Sequence, residues 1–294
     1  MPAPASALLI YNSRASRAAG NISRAFERLS AGLRVTMSQC PGCAREMETC
    51  RQLMQRSDRV IVAGGDGTVH RILPLLLSAD RPLAVLPMGT ANDFARSVGL
   101  PATLEAACDV AAAGPLRRID IGLVDGRPFL NVASIGLATA VTRAQSGARK
   151  RLWRLASYPL ALARAVGTSR PFRGEIMMPG RTIEGLFLQA SFGNGRYHGG
   201  GLQAGPDAAI DDGLLHVYTI AAARWWKLLP VAPALLLGLH GWSSSVRAFA
   251  VERAVVRTVR PRTVTADGEI VGTTEVGVEL KVVRGALSVA VPGA

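Results

Sequence analysis

The sequence predicts an α/β domain followed by a β-rich domain, on two observations. Over residues 1–120, short apolar runs alternate with segments of helical period, which is typical of a parallel α/β sheet. Beyond Ile121 the pattern changes to strands separated by turns, with few helical segments. We therefore predict a Rossmann-like three-layer α/β domain over residues 1–120 and a β-rich domain over residues 121–294. The final residues of the chain can return to pack with the first domain.

The first half is predicted from apolar runs that follow one another at regular spacing. Its strands are predicted at Ala7–Ile10, Leu33–Thr36, Arg59–Ala63 and Pro82–Leu86. Its helices are predicted near Ser16–Leu29, Ala44–Met54, Val69–Leu77, Ala91–Val98 and Leu104–Ala112.

The second half is predicted mainly from runs of alternating or continuous apolar residues. Its strands are predicted to include Phe129–Ser134, Glu184–Phe192, Leu214–Ile220, Val246–Val251 and Glu279–Val283. Two helices are predicted, near Arg149–Val166 and Arg224–Leu239.

The charge balance favours anionic partners. The formal net charge is +13 and comes almost entirely from arginine, since the only lysines are Lys150, Lys227 and Lys281. A basic protein of this size suits nucleotides, acidic membranes or nucleic acid. Aromatic residues make up only 5% of the chain, which offers few platforms for base stacking and argues against a nucleic-acid module.

The sequence indicates a cytoplasmic protein. The amino terminus lacks the basic start and apolar run of a secretory signal. The most apolar later stretch, Trp225–His240, is interrupted by proline and is shorter than the ~20 residues of a membrane span. Cys40 and Cys43 form a CxxC without a second pair or a nearby histidine, so we interpret the cysteines as reduced packing thiols rather than zinc ligands.

A glycine-rich turn follows the predicted strand at Val60. The run Gly64-Gly-Asp-Gly-Thr68 leads directly into a helix, which is the architecture of a phosphate-binding site. We expect its glycines to adopt positive φ and to let the backbone approach a ligand. Asp66 is placed to orient a metal-bound or phosphate-bound water, and Thr68 to cap the helix or contact phosphate. The alternative is an ordinary strand-to-helix turn with a capping threonine.

A second turn of the same kind follows the next strand. Gly89 and Thr90 are predicted to start a helix with Asn92 and Asp93 in its first turn, where the helix dipole favours a carboxylate. Alone, this turn is consistent with a capped helix. Two such turns after successive strands predict a ligand site at the carboxyl edge of the sheet.

Several nucleotide-binding classes are excluded. The sequence has no GxxxxGK[ST] and no lysine before Lys150, which excludes a P-loop kinase. The strand lysine, HRD and DFG set of protein kinases is missing, and Gly64–Gly67 is not a GxGxxG dinucleotide motif. Phosphate must therefore be held by backbone N–H groups, arginines and a metal.

These motifs resemble the diacylglycerol kinase catalytic domain, a family that includes bacterial YegS-like lipid kinases, bacterial diacylglycerol kinases and sphingosine kinases. The resemblance begins with Gly64–Thr68, Pro87–Arg96 and Gly99–Pro101. It continues through Arg118–Gly122, Phe129–Asn131, Gly136, Gly193–Gly195, Gly199–Gly201, Pro206, Asp212–Leu214 and Asp267–Glu269. It therefore covers nearly the whole chain.

The resemblance implies a nucleotide-binding first domain, a β-sandwich-like lipid-substrate domain and an active site in the cleft between them. ATP would be the phosphoryl donor, and a diacylglycerol-like or sphingoid hydroxyl the acceptor. The implied nucleotide-binding residues are Asn12, Thr36, Gly64, Gly65, Asp66, Gly67, Thr68, Val69, His70, Arg71, Gly89, Thr90 and Asn92.

The resemblance also implies the chemistry of the acidic residues. Asp267 would be the catalytic base, with Glu269 nearby and Asp66 at the phosphates. A carboxylate in this place can accept the proton of a lipid hydroxyl. From its residues alone, Asp267-Gly268 is equally consistent with an ordinary turn.

Two magnesium sites are implied. The catalytic ion would lie among Asp66, Asp93 and Asp120, because carboxylates and water suit Mg²⁺. A second, structural ion would be held by Asp212 with the backbone carbonyls of Ala209 and Leu214. The alternative at Asp212 is an acidic turn before a strand.

A lipid substrate requires access to a bilayer. Arg143, Arg149, Lys150, Arg151 and Arg154 form a basic cluster interleaved with Leu, Trp and Tyr, which predicts peripheral attachment to the anionic inner membrane surface. The alternative is a solvated arginine-rich helix face. The sequence leaves a homodimer open.

Two other functions compete with a lipid kinase. A soluble-substrate kinase of the NAD kinase type also uses Gly-Gly-Asp-Gly-Thr, but the stretch Gly89–Arg96 favours the lipid branch. A non-catalytic nucleotide-binding module is the other alternative. The acidic set of Asp66, Asp93, Asp120 and Asp267 argues against it.

Overall fold

The computed structural model describes residues 5–12, 20–136, 170–205, 207–223, 231, 239 and 245–293. The chain forms two compact units. The first consists of Met1–Ile121 together with Arg284–Ala294, and the second is Gly122–Val283.

The elements of the first half alternate between strand and helix. In chain order they are β1 (Ser6–Tyr11), α1 (Asn21–Ser30), β2 (Arg34–Gln39), α2 (Ala44–Gln55), β3 (Arg59–Gly64), α3 (Asp66–Ala79), β4 (Leu83–Pro87), α4 (Asp93–Ser97), α5 (Leu104–Ala113) and β5 (Leu116–Val124).

The described elements of the second half are strands. They are β6 (Arg127–Phe129), β7 (Val132–Gly136), β8 (Phe172–Met178), β9 (Arg181–Gly193), β10 (Tyr197–His198), β11 (Leu202–Gln203), β12 (Leu215–Ala221), β13 (Val246–Val251), β14 (Arg253–Thr258), β15 (Thr263–Ala266), β16 (Glu269–Thr273) and β17 (Val278–Ala290).

The first unit is built on a parallel sheet with the order β2-β1-β3-β4, and the end of β17 lies beside β4. Its inner strands are continuous apolar runs, such as Leu8–Ile10 and Val60–Ala63, and these residues are fully buried. Strands of this kind must be covered on both faces, which parallel sheets achieve with helices.

Helices cover both faces of this sheet. On one face, α1 and α5 contact each other, and Leu29 and Ala107 pack with Leu9 and Ile61 of the strands. The alternate strand residues point to the other face, where α2 and α3 contact each other and α3 contacts β3. The predicted three-layer α/β domain is confirmed.

The second unit is built from antiparallel strands in the order β16-β15-β7-β9-β8-β14-β17, with β12 beside β9 and β13 beside β12. Its core is apolar and includes the buried rings of Phe129, Phe187 and Phe192. The predicted change from an α/β to a β-rich domain is confirmed.

The structure corrects two predicted elements. The predicted strand Phe129–Ser134 is divided into β6 and β7, because the N–H groups of Leu130 and Asn131 donate to the Asp267 carboxylate instead of a neighbouring strand. Helix α3 begins at Asp66 rather than at Val69, so the glycine turn is part of its first turn. The helix predicted near Arg149–Val166 lies outside the described residues, as does nearly all of the one near Arg224–Leu239.

The four cysteines are free thiols. Burial raises the pKa of the Cys50 and Cys108 thiols to about 11, so both are protonated packing groups at neutral pH. Across the described residues, no helix is both long enough and apolar enough to span a bilayer.

Candidate phosphate-binding and catalytic site

The two predicted glycine turns lie side by side. Strands β3 and β4 are parallel neighbours, with Gly64 opposite Pro87, so both turns leave the same edge of the sheet. The backbone N–H of Met88 donates to the Gly64 carbonyl at 3.0 Å. The expectation that the turns meet at the carboxyl edge is confirmed.

Gly65 and Gly89 make the closest approach between the turns. A Cβ atom at Gly65 would lie 2.8 Å from the Gly89 Cα, and a Cβ at Gly89 would lie 2.5 Å from the Gly65 Cα. Neither position has room for a side chain. The expectation that the glycines adopt positive φ is wrong, because Gly64, Gly65 and Gly67 lie outside that region and Gly65 has a φ of −103°.

Replacing Gly65 with alanine should therefore push the two turns apart. We expect Gly65→Ala to lower the free energy of unfolding by about 1–3 kcal/mol, the usual cost of overpacking. Gly67→Ala is the matched control, because its Cβ would meet no atom within 4 Å and alanine favours a helix. Urea unfolding measures both, and equal stability of the two variants would contradict the steric account.

The Asp66 side chain, in the first glycine turn, forms hydrogen bonds to the backbone that follows the second turn. Its Oδ2 accepts a hydrogen bond from the N–H of Asp93 at 3.1 Å, and its Oδ1 accepts one from Phe94 at 2.9 Å. These are amino-terminal N–H groups of α4, which have no carbonyl partner within the helix. The Asp66 carboxylate therefore caps a helix that belongs to the neighbouring turn.

The Asn92 side chain forms hydrogen bonds to the main chain of its own turn, the second glycine turn. It has a φ of 51°, and its Oδ1 accepts the N–H of Gly89 at 2.9 Å while its Nδ2 donates to the Gly89 carbonyl at 3.1 Å. Asparagine tolerates this left-handed backbone and bonds readily to nearby main chain. Asn92 thus fixes the shape of the turn, and α4 begins only at Asp93.

Thr68 lies beneath the first turn. It is buried, and its Oγ1 accepts a 3.3 Å hydrogen bond from the Nδ2 of Asn12. A Cβ at Gly64 would lie 2.6 Å from the same oxygen, so the turn backbone packs directly on this hydroxyl. The Asn12 N–H donates to the carbonyl of Ala63. Asn12, directly after β1, and Thr68, in the first turn of α3, therefore support the glycine turn.

The remaining predicted nucleotide residues are placed differently. Val69, His70 and Arg71 follow the glycine turn on α3, where Val69 is buried and Arg71 is exposed. Thr90, in the second turn, is exposed. Thr36 is not brought to the turns: it lies in the middle of the outermost strand β2, at the level of Val60.

Asp93 and Asp120 are both buried acidic residues of the first unit. Asp93 adjoins Asp66 through its own N–H. Asp120 lies on β5, where its Oδ1 accepts the N–H of Gly285 at 2.7 Å. In the part of the chain that the structure describes, no three His, Cys, Asp or Glu side chains are grouped to hold a metal ion. Carboxylate oxygens at Asp66 and Asp93 fit Mg²⁺ in their chemistry, and the three-aspartate network stays a prediction.

Asp267 lies in a two-residue hairpin turn of the second unit. Ala266 pairs with Glu269, and φ is positive at Asp267 (47°) and Gly268 (88°), the pattern of a type I′ turn. Its carboxylate accepts backbone N–H groups from Leu130 at 2.7 Å and from Asn131 and Val132 at 2.8 and 3.0 Å. The turn that we gave as an alternative for Asp267-Gly268 is present. In addition, three main-chain donors fix the position of the Asp267 carboxylate. Glu269 begins β16 and is exposed.

Asn194 supports the segment that holds Asp267, and its role was not predicted. It is fully buried, its N–H donates to the Asn131 carbonyl at 2.9 Å, and its Nδ2 donates to the Leu130 carbonyl at 3.0 Å. The signal in the sequence was an asparagine between two glycines, Gly193 and Gly195, directly after an apolar strand.

The structural magnesium predicted at Asp212 stays a prediction, and the carboxylate there has partners within the protein. Its Oδ2 accepts the N–H of Ala209 at 3.0 Å and lies 2.7 Å from the Nε2 of His216. Its Oδ1 accepts the N–H of Leu214 at 2.9 Å. Two amide donors and an imidazole therefore contact the Asp212 carboxylate. The sequence did not reveal the role of His216, which only its spacing from Asp212 could have suggested.

We expect the second unit to be stable without a divalent ion at Asp212. The melting temperature of the wild type should not change with EDTA or added Mg²⁺, because His216 and two N–H groups already satisfy the carboxylate. His216→Asp places a second carboxylate there, and its melting temperature should rise with Mg²⁺. Differential scanning calorimetry compares them, and destabilisation of the wild type by EDTA would contradict this expectation.

Comparison with known proteins places the chain in a family. The model of the diacylglycerol kinase catalytic domain matches residues 6–124. The model of the YegS C-terminal NAD kinase β-sandwich-like domain matches residues 131–291. The predicted β-sandwich-like second domain is thereby confirmed.

Named relatives agree with these domains. A "Probable lipid kinase YegS-like" protein of Pseudomonas fluorescens is 37% identical over 72% of this chain and 70% of its own length. A protein of the same name from Pseudomonas aeruginosa is 35% identical over 71% of this chain and 69% of its own length.

Solved structures share the fold. The crystal structure of a diacylglycerol kinase from Bacillus anthracis aligns with a TM-score of 0.73 at 19% identity, over 99% of this chain and 98% of the other. A further structure from that organism reaches a TM-score of 0.80 at 22% identity, with the same coverage. With two family domains in the expected order and relatives matched over most of their length, the chain belongs to the YegS-like family of proteins with a diacylglycerol kinase catalytic domain, which supports a kinase function.

Proposed function

We propose that the protein transfers the γ-phosphoryl group of ATP to the hydroxyl of a lipid. The observation that carries the proposal is the contact of the Gly65 and Gly89 turns, with Asp66 joining them. The amino end of α3 lies at the carboxyl edge of the sheet, and the first N–H groups of a helix have no carbonyl partner within it, which suits them to phosphate. The lipid acceptor is supported by the names of the relatives.

The phosphates of ATP would be bound mainly by main chain. Helix α3 runs for 14 residues, and the positive end of its dipole lies at the Gly65 turn. Arg71 is the exposed cation on this helix. We propose that the nucleotide contacts Gly64–Arg71, Gly89, Thr90 and Asn92, while Asn12 supports the turn.

Asp66 and Asp93 would hold magnesium, with Asp120 as a further carboxylate of the same unit. When bound, the ion offsets the charge that develops on the transferred phosphoryl group. The N–H groups of Asp93 and Phe94 hold the Asp66 carboxylate in one orientation, which fixes one face of such a site.

Asp267 would act as the general base. The three N–H groups of Leu130–Val132 orient its carboxylate, and general bases need a fixed position within reach of the proton that they accept. The proton of the lipid hydroxyl passes to a carboxylate oxygen as the hydroxyl oxygen bonds to the γ-phosphorus, and the bond from that phosphorus to the β–γ bridging oxygen breaks to release ADP. Glu269 adds a second negative charge two residues away on the same hairpin.

A product assay tests the proposal. Purified protein is incubated with Mg²⁺ and ATP labelled in the γ-phosphate, and with diacylglycerol, monoacylglycerol, sphingosine, ceramide, phosphatidylglycerol or NAD in separate tubes. We expect label in a lipid product on thin-layer plates. Label in NAD alone would favour the soluble-substrate kinase, and no product with any acceptor would favour a non-catalytic nucleotide-binding module.

The lipid acceptor makes the anionic inner surface of the membrane the proposed place of action. The basic cluster proposed to dock there, Arg143, Arg149, Lys150, Arg151 and Arg154, lies outside the described residues.

A further inference from the structure

Two loops of the second unit form one rigid surface, which we call the paired loops. They are residues 259–262, between β14 and β15, and residues 274–277, between β16 and β17. The Thr274 N–H donates to the Arg262 carbonyl, and the Arg262 N–H donates to the Thr274 Oγ1, each at 2.9 Å. Thr274 is only 2% exposed, so these bonds are sheltered from water.

Each paired loop presents a valine to solvent. Val259 is 73% exposed and Val276 is 92% exposed, the two highest values for large apolar side chains among the described residues. A single exposed valine needs no explanation. Two of them on adjoining loops, held by main-chain bonds, form a pair of apolar tips.

The segments that carry and adjoin these loops have more arginines than glutamates. The arginines are Arg170, Arg173, Arg257, Arg260 and Arg262, against the glutamates Glu175, Glu184 and Glu275, which leaves an excess of two positive charges. Val259 is fixed to the arginine-bearing strand, because its N–H donates to the Arg173 carbonyl at 3.0 Å. The Arg262 Nη2 donates to the carbonyl of Pro171 at 3.1 Å. The charges thus lie on the same ordered framework as the valines.

A groove opens beside Val259. Its volume is about 570 Å³, and Leu186 and Val259 contribute its apolar surface. Two arginines and two glutamates line it, Arg173, Arg257, Glu175 and Glu184, and the Arg257 Nη1 lies 3.8 Å from the Glu175 Oε1. Gly174 and Gly185, directly opposite each other on β8 and β9, also line the groove. The charges of the groove are therefore balanced, and the excess positive charge near the paired loops comes from Arg170, Arg260 and Arg262 against Glu275.

The paired loops and Asp267 lie at opposite ends of one β-hairpin. Strands β15 and β16 form one hairpin, with Asp267 in the turn at its closed end. The paired loops lie at its open end, where β15 begins and β16 ends. The four residues of β15 span about 13 Å. One hairpin therefore carries the proposed base at one end and the apolar tips at the other.

We propose that the paired loops dock on an anionic bilayer, with Val259 and Val276 inserted among the lipids and the arginines bound to headgroup phosphates. The proposal rests on the proposed function, because a lipid substrate gives the enzyme a reason to visit the bilayer. Small apolar tips within a basic rim fit a membrane interface, whereas protein interfaces have a contiguous apolar centre rich in aromatic residues.

Vesicle sedimentation tests the docking without any assay of activity. The probes are vesicles of phosphatidylcholine with or without phosphatidylglycerol. We expect wild-type protein to bind the anionic vesicles and the double variant Val259→Ser with Val276→Ser to bind about ten-fold more weakly or worse. Arg257→Gln with Arg260→Gln should lose roughly five-fold for each charge. Leu116→Ser, at a residue 54% exposed in the first unit, is the matched control and should bind like wild type.

The outcomes separate docking from catalysis. Melting temperatures establish that each variant is folded, and activity on detergent-dispersed lipid should be retained by both double variants. Unchanged vesicle binding by the valine variant overturns the proposal, and so does a wild type that ignores anionic vesicles. If the wild type docks as expected but labels no lipid in any form, the proposed function fails while the docking surface stands.

Discussion

Asp267→Asn should lower turnover by about 100-fold or more, the usual contribution of a general base. Asparagine keeps the left-handed backbone of the hairpin turn, which Asn-Gly favours as strongly as Asp-Gly. Its amide has one acceptor oxygen for the N–H groups of Leu130, Asn131 and Val132, so some stability is also lost. Turnover must therefore be measured well below the melting temperature of the variant, with nucleotide binding measured in parallel.

Asp125→Asn is the matched control for this change. Asp125 and Gly126 also form a hairpin turn with positive φ at both residues, in the same unit. The Asp125 carboxylate likewise accepts a backbone N–H, from Glu279 at 2.8 Å. The control should keep wild-type turnover, because Asp125 has no part in the proposed chemistry. Asp267→Asn with wild-type turnover would remove Asp267 from the mechanism and leave it the role of an anchor.

Asp66→Ala should weaken the binding of magnesium-ATP by roughly 10–100-fold, which corresponds to losing charge-assisted hydrogen bonds of about 1.5–3 kcal/mol. The loss has two sources. The site would lose a magnesium ligand, and α4 would lose the carboxylate that holds the N–H groups of Asp93 and Phe94. Asp66→Asn, which keeps one acceptor oxygen, should give an intermediate affinity. Calorimetric titration at several magnesium concentrations measures both variants.

Asp58→Ala controls for the loss of a carboxylate that binds main chain. Asp58 accepts the N–H and the hydroxyl of Ser6 at 2.7 and 2.8 Å, and it precedes β3, at the opposite end of that strand from Gly64. Its removal should leave ATP affinity unchanged. An unchanged magnesium dependence in Asp66→Ala would place the metal elsewhere.

Local sequence patterns predicted most of the first unit. The apolar runs of β1, β3 and β4 and the two glycine turns are each defined within about ten residues, the range in which hydrophobic period and turn residues act. The order of these strands, β2-β1-β3-β4, was not predicted, because it depends on contacts between residues distant in the sequence. Element boundaries were less exact, as at α3, because its glycine turn is already helical.

Contacts between distant residues could not be predicted in the same way. The N–H groups of Leu130–Val132 meet a carboxylate more than a hundred positions later in the chain, and nothing near either segment indicates the pairing. The Gly65–Gly89 approach likewise depends on the register of two strands. The resemblance identified Asp267 and Asp66 as site residues but not what holds them in place. The structure adds main-chain N–H groups that bond to each carboxylate.

The central claim is that the γ-phosphoryl group of ATP is transferred to a lipid hydroxyl. Its most direct test is to incubate wild type and Asp267→Asn with a bacterial lipid extract, magnesium and ATP carrying ¹⁸O in the γ-phosphate, and to analyse the lipids by mass spectrometry. We expect a new phospholipid whose phosphate oxygens carry the heavy isotope in the wild-type sample and only a trace of it with the variant. Labelled inorganic phosphate without any labelled lipid, at equal levels in both samples, would contradict the account.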